Sequence, residues 1–167
     1  GWYGSIYDWG DTGPGRGGYS PEPGASQLSY AQRIWDAAMK FKASHTAKNS
    51  TLNLLNAPAG NECVAAIQQI LANAALSEIG GGTLYLPTFE QALSTSGYVQ
   101  VSLSEAVAGD FVIQGSDDHI GVCETNGCTL MVSNSSSNES FTWVTTPAAF
   151  ASYFSPSAPN RFWHHSP

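Results

Sequence analysis

The chain has 167 residues, enough for one domain whose core needs no metal or disulfide framework. Six Lys and Arg residues oppose 13 Asp and Glu residues, so the net charge of −7 argues against nucleic acid or an anionic membrane surface as a partner. Charged residues make up only 11% of the chain, well below the usual quarter. We therefore expect a surface of uncharged polar residues, as is common in extracellular proteins.

The hydrophobic residues are dispersed along the chain. No apolar run approaches the roughly 20 residues that a membrane-spanning helix needs, so no membrane span is expected. The sequence opens on Gly1 without an initiator Met, which is typical of a mature product whose signal peptide has been removed. We expect a secreted monomer, extracellular or periplasmic.

Residues 1–27 are rich in Gly, Pro, Ser and Tyr and show no sustained period. We interpret them as an irregular arm that packs on the domain or lines a groove, because free disordered segments are normally poor in aromatic residues. Residues 28–167 are predicted to form a single domain. The aromatic residues of the arm include Trp2, Tyr3, Tyr7 and Trp9.

Two amphipathic helices are predicted in the first half of the domain, because apolar residues recur there at spacings of three and four. The first helix begins after Ser29. The second begins after Asn61, a good N-cap residue, and is expected to end at the three glycines Gly80, Gly81 and Gly82. The apolar positions are Tyr30, Ile34, Ala37, Ala38 and Phe41 in the first helix and Val64, Ile67, Ile70, Leu71 and Ala74 in the second.

Beyond these glycines, five short runs are enriched in β-branched and aromatic residues, and we interpret them as an antiparallel sheet. Helices followed by strands indicate an α+β fold with the helices on one face of the sheet. The runs cover residues 98–101, 110–114, 120–124, 129–133 and 141–144.

Cys63 follows the proposed N-cap by two residues. Unpaired backbone N–H groups and the positive end of the helix dipole favour an anion there, so the thiol should ionise more easily. The same N–H groups, that of Cys63 included, are candidates for an oxyanion hole. Glu62 opposes this, because a neighbouring carboxylate disfavours the thiolate. A buried structural cysteine at a helix start is the alternative interpretation.

His119 stands at the head of a predicted strand, after the acidic residues Asp117 and Asp118. A lone histidine is usually structural. Together with a cysteine at a helix start, however, it becomes a candidate general base for nucleophilic catalysis.

Three motifs in order resemble the NlpC/P60 and CHAP domains: Asn61-Glu62-Cys63-Val64-Ala65-Ala66-Ile67, Gly109-Asp110, and His119-Ile120-Gly121-Val122. The resemblance covers roughly residues 60 to 145. It implies a papain-like α+β fold with N-terminal helices packed on an antiparallel sheet. It also implies hydrolysis of amide bonds in peptidoglycan stem peptides or cross-bridges by a cysteine and a histidine, without a cofactor. Glu62-Cys63-Val64 departs from the Asp-Cys-Ser tripeptide frequent in NlpC/P60, and the Tyr that often precedes the cysteine has no clear match; both departures favour CHAP.

Cys123 and Cys128 flank a turn-like sequence, so they are predicted to form a disulfide across a hairpin. Placing them opposite each other sets a register in which Asn134 lies on the face of His119 and orients its ring. A bulge beside Gly127 would reverse the parity and favour Ser133 instead. Two reduced, buried cysteines are the alternative.

Other histidines and acidic residues are weaker candidates. Asp117, Asp118 and His119 suggest a metal site only weakly, because no second His or Cys stands at ligand spacing, and none is predicted. His45, His164 and His165 are interpreted as surface or terminal residues.

The sequence thus favours a secreted cysteine peptidase or amidase acting on a peptide substrate. Two alternatives stay open: a non-catalytic module of the same fold that binds cell wall, glycan or protein, and an acyl transferase using the same Cys/His pair. An immunity or inhibitor protein is a further partner class that this sequence does not decide.

Overall fold

The computed structural model describes residues 28–154 and 158–167. The proposed arm over residues 1–27 lies outside this part of the chain. The described residues form an α+β structure with four α-helices and a six-stranded antiparallel sheet. The helices are α1 (Tyr30–Ser44), α2 (Glu62–Asn73), α3 (Leu86–Thr95) and α4 (Pro147–Phe154). The strands are β1 (Tyr98–Val101), β2 (Phe111–Ile113), β3 (Ile120–Cys123), β4 (Met131–Ser135), β5 (Ser140–Thr145) and β6 (Arg161–His165).

The spatial order of the strands is β1-β6-β2-β3-β4-β5. The last strand of the chain is therefore inserted between the first and the second, while β2 to β5 follow one another as hairpins. This insertion places residues 161–165 beside β2, about 50 residues earlier in the chain, and β1, about 65 residues earlier.

Helix α1 begins as the sequence predicts. Ser29 accepts a hydrogen bond from the backbone N–H of Gln32, and the Gln32 side chain accepts one from the N–H of Ser29, which makes a capping box. The predicted apolar positions from Ile34 to Phe41 are buried. Helix α2, in contrast, ends at Asn73, so its predicted end at the three glycines was wrong; Gly80–Gly82 form a separate short 3₁₀ turn.

Side chains alternate between the two faces of the sheet along each strand, and each face is covered by a hydrophobic core. One core lies between the sheet and helices α1, α2 and α3; it contains Ile67, Phe89, Phe111, Ile120 and Val122. A smaller core on the other face lies under α4 and contains Val112, Cys123, Met131, Phe150 and Phe162. The prediction of helices on one face alone missed α4.

No helix in residues 28–154 or 158–167 combines the length and hydrophobicity needed to cross a lipid bilayer.

Candidate active site

Cys63 is the second residue of α2 and is 6% exposed. Burial is the largest effect on its thiol and raises the pKa to about 11, to which the charge of Glu62 adds. Backbone N–H groups of Val64, Ile120 and Cys63 itself point at the sulfur and oppose that rise. The thiol at rest is therefore protonated, and the expectation that it ionises more easily was wrong, because burial outweighs the backbone N–H groups at the helix start.

The interaction of the thiol with Ile120 is informative because Ile120 is the first residue of β3 and directly follows His119. The start of α2 thus meets the start of β3. Cys63 therefore lies near the end of β3 that His119 precedes. They are separated by 56 positions in the chain, so only the tertiary structure joins them.

His119 is 5% exposed. Its Nε2 lies 2.8 Å from the backbone carbonyl oxygen of Asn134. A carbonyl only accepts, so Nε2 carries the proton and donates; in the neutral ring, Nδ1 is then the unprotonated nitrogen. Burial lowers the pKa of His119 to about 4, which keeps the ring neutral at pH 7.

The ring of His119 packs against aromatic side chains under α4. Its centroid lies 5.8 Å from that of Trp143, 5.7 Å from Phe150 and 5.2 Å from Phe154. The side chain of the next residue, Ile120, belongs to the core on the opposite face. Consequently, no hydrogen bond joins the Cys63 thiol to this imidazole among the described residues, and the sulfur contacts the strand through its backbone instead.

Asn134 contacts His119, but not in the way the sequence predicted. Its side chain is turned away from the imidazole and accepts a hydrogen bond of 2.6 Å from the Thr51 hydroxyl, while its main-chain carbonyl holds the ring. Ser133, the alternative, is fully buried, and its hydroxyl has no hydrogen-bond partner among the described residues.

The disulfide between Cys123 and Cys128 is present, so this prediction is confirmed and Cys63 is the one free thiol of the chain. The register built on it was wrong. Cys123 pairs with Met131, not Cys128, and Gly121 pairs with Ser133. The physical reason is a 3₁₀ turn over Asn126–Cys128, in which Gly127 takes a positive φ of 76°, so Cys128 lies before β4 instead of within it.

A small pocket of about 100 Å³ opens beside Cys63. Asp117 and Pro87 belong to its wall and also to that of a larger groove of about 470 Å³, so the two cavities adjoin. Tyr85, which also lines the pocket, is 61% exposed and available for contact with a bound molecule. Further lining residues of the pocket are Gly60, Asn61, Leu84 and Asp118.

Sequence reasoning missed a polar cluster in the groove. Arg161 of β6 forms ion pairs with Glu90 of α3 (2.6 Å) and with Asp117 (2.7 Å). Burial, followed by the nearby Glu90, raises the pKa of Asp117 to about 6. Nothing in the local sequence marks Arg161 or Glu90, because they meet only through the insertion of β6 into the sheet.

The histidines near the C-terminus lie in β6. His164 Nδ1 bonds to Asp110 over 2.6 Å, which raises the pKa of His164, and His165 stacks on Tyr30 at a centroid distance of 3.6 Å. These contacts give both residues structural roles. In the part of the chain that the structure describes, no group of three or more His, Cys, Asp and Glu side chains is arranged to hold a metal ion.

Comparison of the chain with models of known protein families gives no match, and comparison with curated proteins likewise gives none. Evidence for the function of this chain therefore lies in the geometry of the Cys63 and His119 region and in the sequence motifs.

Proposed function

We propose that this protein is a cysteine hydrolase that cleaves amide bonds, with Cys63 as nucleophile and His119 as general base. The observation that carries the proposal is the backbone N–H of Ile120 on the Cys63 sulfur. It brings the thiol to the start of the strand that His119 precedes, and the hydrogen bond to the Asn134 carbonyl leaves the Nδ1 of His119 free to accept a proton.

In the reaction, Nδ1 of His119 removes the thiol proton as the sulfur of Cys63 attacks the amide carbonyl carbon. The N–H groups of Cys63, Val64 and Ile120 are candidate donors to the oxyanion that develops. The C–N bond then breaks, and the imidazolium returns its proton to the leaving amine. Water, activated by the same imidazole, releases the acyl group from the sulfur.

At rest, the imidazole and the thiol are not hydrogen-bonded, and the raised pKa of Cys63 fits a protonated thiol. The ring packs under α4, whereas Cys63 lies in the core on the other face of the sheet, so proton transfer requires the ring to move toward the sulfur when substrate binds. We accordingly assign His119 the role of a base that acts during the reaction, instead of one that holds a preformed thiolate.

The substrate that we propose is a peptide of peptidoglycan, a stem or a cross-bridge. This part depends on the resemblance of the Cys63 and His119 motifs to NlpC/P60 and CHAP domains. The exposed ring of Tyr85 and the adjoining groove provide the space that a peptide on either side of the scissile bond would need. Such a substrate requires a secreted protein, with which the disulfide is compatible.

The test is digestion of purified peptidoglycan, with the fragments identified by mass. We expect new amine and carboxyl ends from the wild type and a rate at least about 100-fold lower for Cys63→Ala and for His119→Ala. Ser137→Ala, on an exposed turn, is the matched control and should keep full activity. Full activity of Cys63→Ala would refute the assignment.

Two further measurements separate the other interpretations. Rapid acid quenching should trap an acyl group on Cys63; tight binding of peptidoglycan without such an adduct or cleavage would identify a binding module. Digestion in the presence of a small primary amine should give carboxyl products, because a hydrolase transfers the acyl group to water. Amide products would identify an acyl transferase.

A further inference from the structure

The loop between β2 and β3 is folded tightly and ends at His119. It is closed by a hydrogen bond of 3.0 Å from the backbone N–H of Gln114 to the carbonyl of His119. The fully buried side chain of Gln114 fills the loop, and its Oε1 accepts hydrogen bonds from the N–H groups of Ser116 (2.9 Å) and Asp118 (3.3 Å). The position of the loop therefore determines where His119 enters the strand.

Arg161 holds this loop from outside. Its Nη1 donates to the carbonyl of Gly115 over 3.0 Å, and its Nη2 donates to the carboxylate of Asp117 over 2.7 Å. The guanidinium is fixed in turn by Glu90, which accepts from Nε over 2.6 Å and from Nη2 over 2.7 Å. Trp163 donates a hydrogen bond of 2.9 Å to the same carboxylate. Only the planar fork of an arginine reaches all these acceptors together.

Asp117 has a positive φ of 58°, a backbone conformation that residues other than glycine rarely adopt. Among those residues, Asn and Asp tolerate it best. Its carboxylate bond to Arg161 holds it in this conformation. Asp117 and Asp118 also line the pocket beside Cys63. The loop that leads into His119 is therefore part of the wall of the Cys63 pocket as well.

We propose that Arg161 is a positioning residue of the active site, which fixes the loop of residues 115–118 and through it the imidazole of His119 and the wall of the Cys63 pocket. Its catalytic consequence rests on the proposed function; its effect on the surroundings of His119 does not. Substitution of Arg161 should free the loop and let water reach a ring that is now buried.

The test is titration of the His119 ring by NMR, with its resonance assigned by comparison with His119→Gln. The groups that pack against the ring carry no charge: the Asn134 carbonyl of β4, Trp143 of β5, and Phe150 and Phe154 of α4. Among the described residues next to the ring, only Asp118, which precedes His119 in the sequence, carries a charge. A change in the midpoint thus reports mainly on hydration of the ring.

In the wild type, the ring should titrate near 4, and Arg161→Gln should move the midpoint upwards by at least about one pH unit, toward the ordinary 6.5. Arg161→Lys, which keeps the charge but not the fork, should give an intermediate midpoint. Lys42→Gln is the matched control, because it breaks another ion pair between elements, with Glu124 at 2.8 Å, and should leave the His119 midpoint unchanged.

A midpoint in Arg161→Gln equal to that of the wild type, with only a loss of thermal stability like that of Lys42→Gln, would overturn the proposal. Should Arg161→Gln fail to fold, Asp117→Asn replaces it. Asparagine accepts the positive φ and removes only the charged contact, so the midpoint should again rise, by less. An unchanged midpoint in that variant would overturn the proposal equally.

Kinetics on peptidoglycan fragments separate this proposal from the proposed function. If both hold, Arg161→Gln should lower kcat at least about 10-fold and move the acidic limb of the pH profile upwards together with the NMR midpoint. An NMR shift in a protein whose wild type cleaves nothing would leave the positioning role intact and refute the hydrolase. Cleavage by the wild type without a shift of the NMR midpoint in Arg161→Gln would refute the positioning role and leave the hydrolase intact.

Discussion

The imidazole of His119 donates its Nε2 proton to the main-chain carbonyl of Asn134 over 2.8 Å, and not to the Asn134 side chain. A ring held by a backbone carbonyl keeps its tautomer whatever side chain occupies that position. The amide of Asn134 is engaged elsewhere, with the hydroxyl of Thr51 at 2.6 Å. This relationship gives a direct prediction for the residue that the sequence singled out as orienter.

Asn134→Ala should leave activity within about threefold of the wild type, because the carbonyl that holds His119 remains. It should lower the free energy of unfolding by about 2 kcal/mol, since the buried hydroxyl of Thr51 loses its acceptor. Peptidoglycan digestion and urea denaturation measure the two effects. Ser133→Ala removes a buried hydroxyl that has no hydrogen-bond partner among the described residues, so it should keep full activity and not lower the free energy of unfolding. A folded Asn134→Ala that lost activity by orders of magnitude would show that the side chain orients the ring.

The pH dependence of stability should carry the signature of His119. Its pKa is about 4 in the folded protein and near the ordinary 6.5 when unfolded, so the unfolded chain binds the proton more readily. Stability should accordingly fall as the pH is lowered from about 6.5 to about 4, by about 3 kcal/mol from this group.

The measurement is urea denaturation of the wild type and of His119→Gln at a series of pH values. Other titrating groups contribute to both proteins, so their effects cancel in the difference. One of them is Asp117: because its pKa is raised to about 6, its contribution to the stability of the protein falls as the pH rises, opposite to that of His119. If the free energy of unfolding changed equally with pH in the two proteins between pH 4 and 6.5, the burial of a neutral His119 would be contradicted.

Gly109 should tolerate no side chain. A Cβ at this position would lie 1.8 Å from the backbone carbonyl oxygen of Ala31, and its φ of 95° is in the region that favours glycine. Gly109→Ala is expected to destabilise the protein by about 3 kcal/mol or more, because backbone atoms of α1 would have to move.

Gly81→Ala is the control for this substitution. It also places alanine at a positive φ, of 68°, but meets no atom within 4 Å. The expected loss is about 1 kcal/mol, from the backbone conformation alone. Thermal denaturation compares the two variants, and losses of equal size would show that the contact with α1 is unimportant.

The Cys123–Cys128 disulfide should stabilise the hairpin that carries His119. Both sulfurs are fully buried in the core under α4. For so short a loop, the chain-entropy contribution is about 2 kcal/mol, so the double variant Cys123→Ala, Cys128→Ala should unfold at correspondingly lower urea. Thiol titration of the unfolded, unreduced chain should find one free thiol, that of Cys63; a count of three would contradict the disulfide.

Local patterns were sufficient for a large part of this fold. The spacing of apolar residues predicted α1 from Tyr30. The start of α2 after Asn61 was also predicted, although the Asn61 side chain donates to the Leu84 carbonyl and does not cap the helix. Five runs of β-branched and aromatic residues predicted β1 to β5 nearly at their observed bounds. The turn-like sequence between Cys123 and Cys128 predicted their pairing. These features depend on contacts within one helix or one hairpin, which a short stretch of sequence contains.

The tertiary structure alone decided how the elements meet. The 3₁₀ turn at Asn126–Cys128 shifted the register of the hairpin. As a result, the main-chain carbonyl of Asn134, and not its side chain, faces His119. The insertion of β6 brought Arg161 to the loop before His119. Cys63 was apparent from the sequence as a thiol at a helix start. Its burial, its raised pKa and its contact with the start of β3 arise from packing between distant segments, which local spacing does not record.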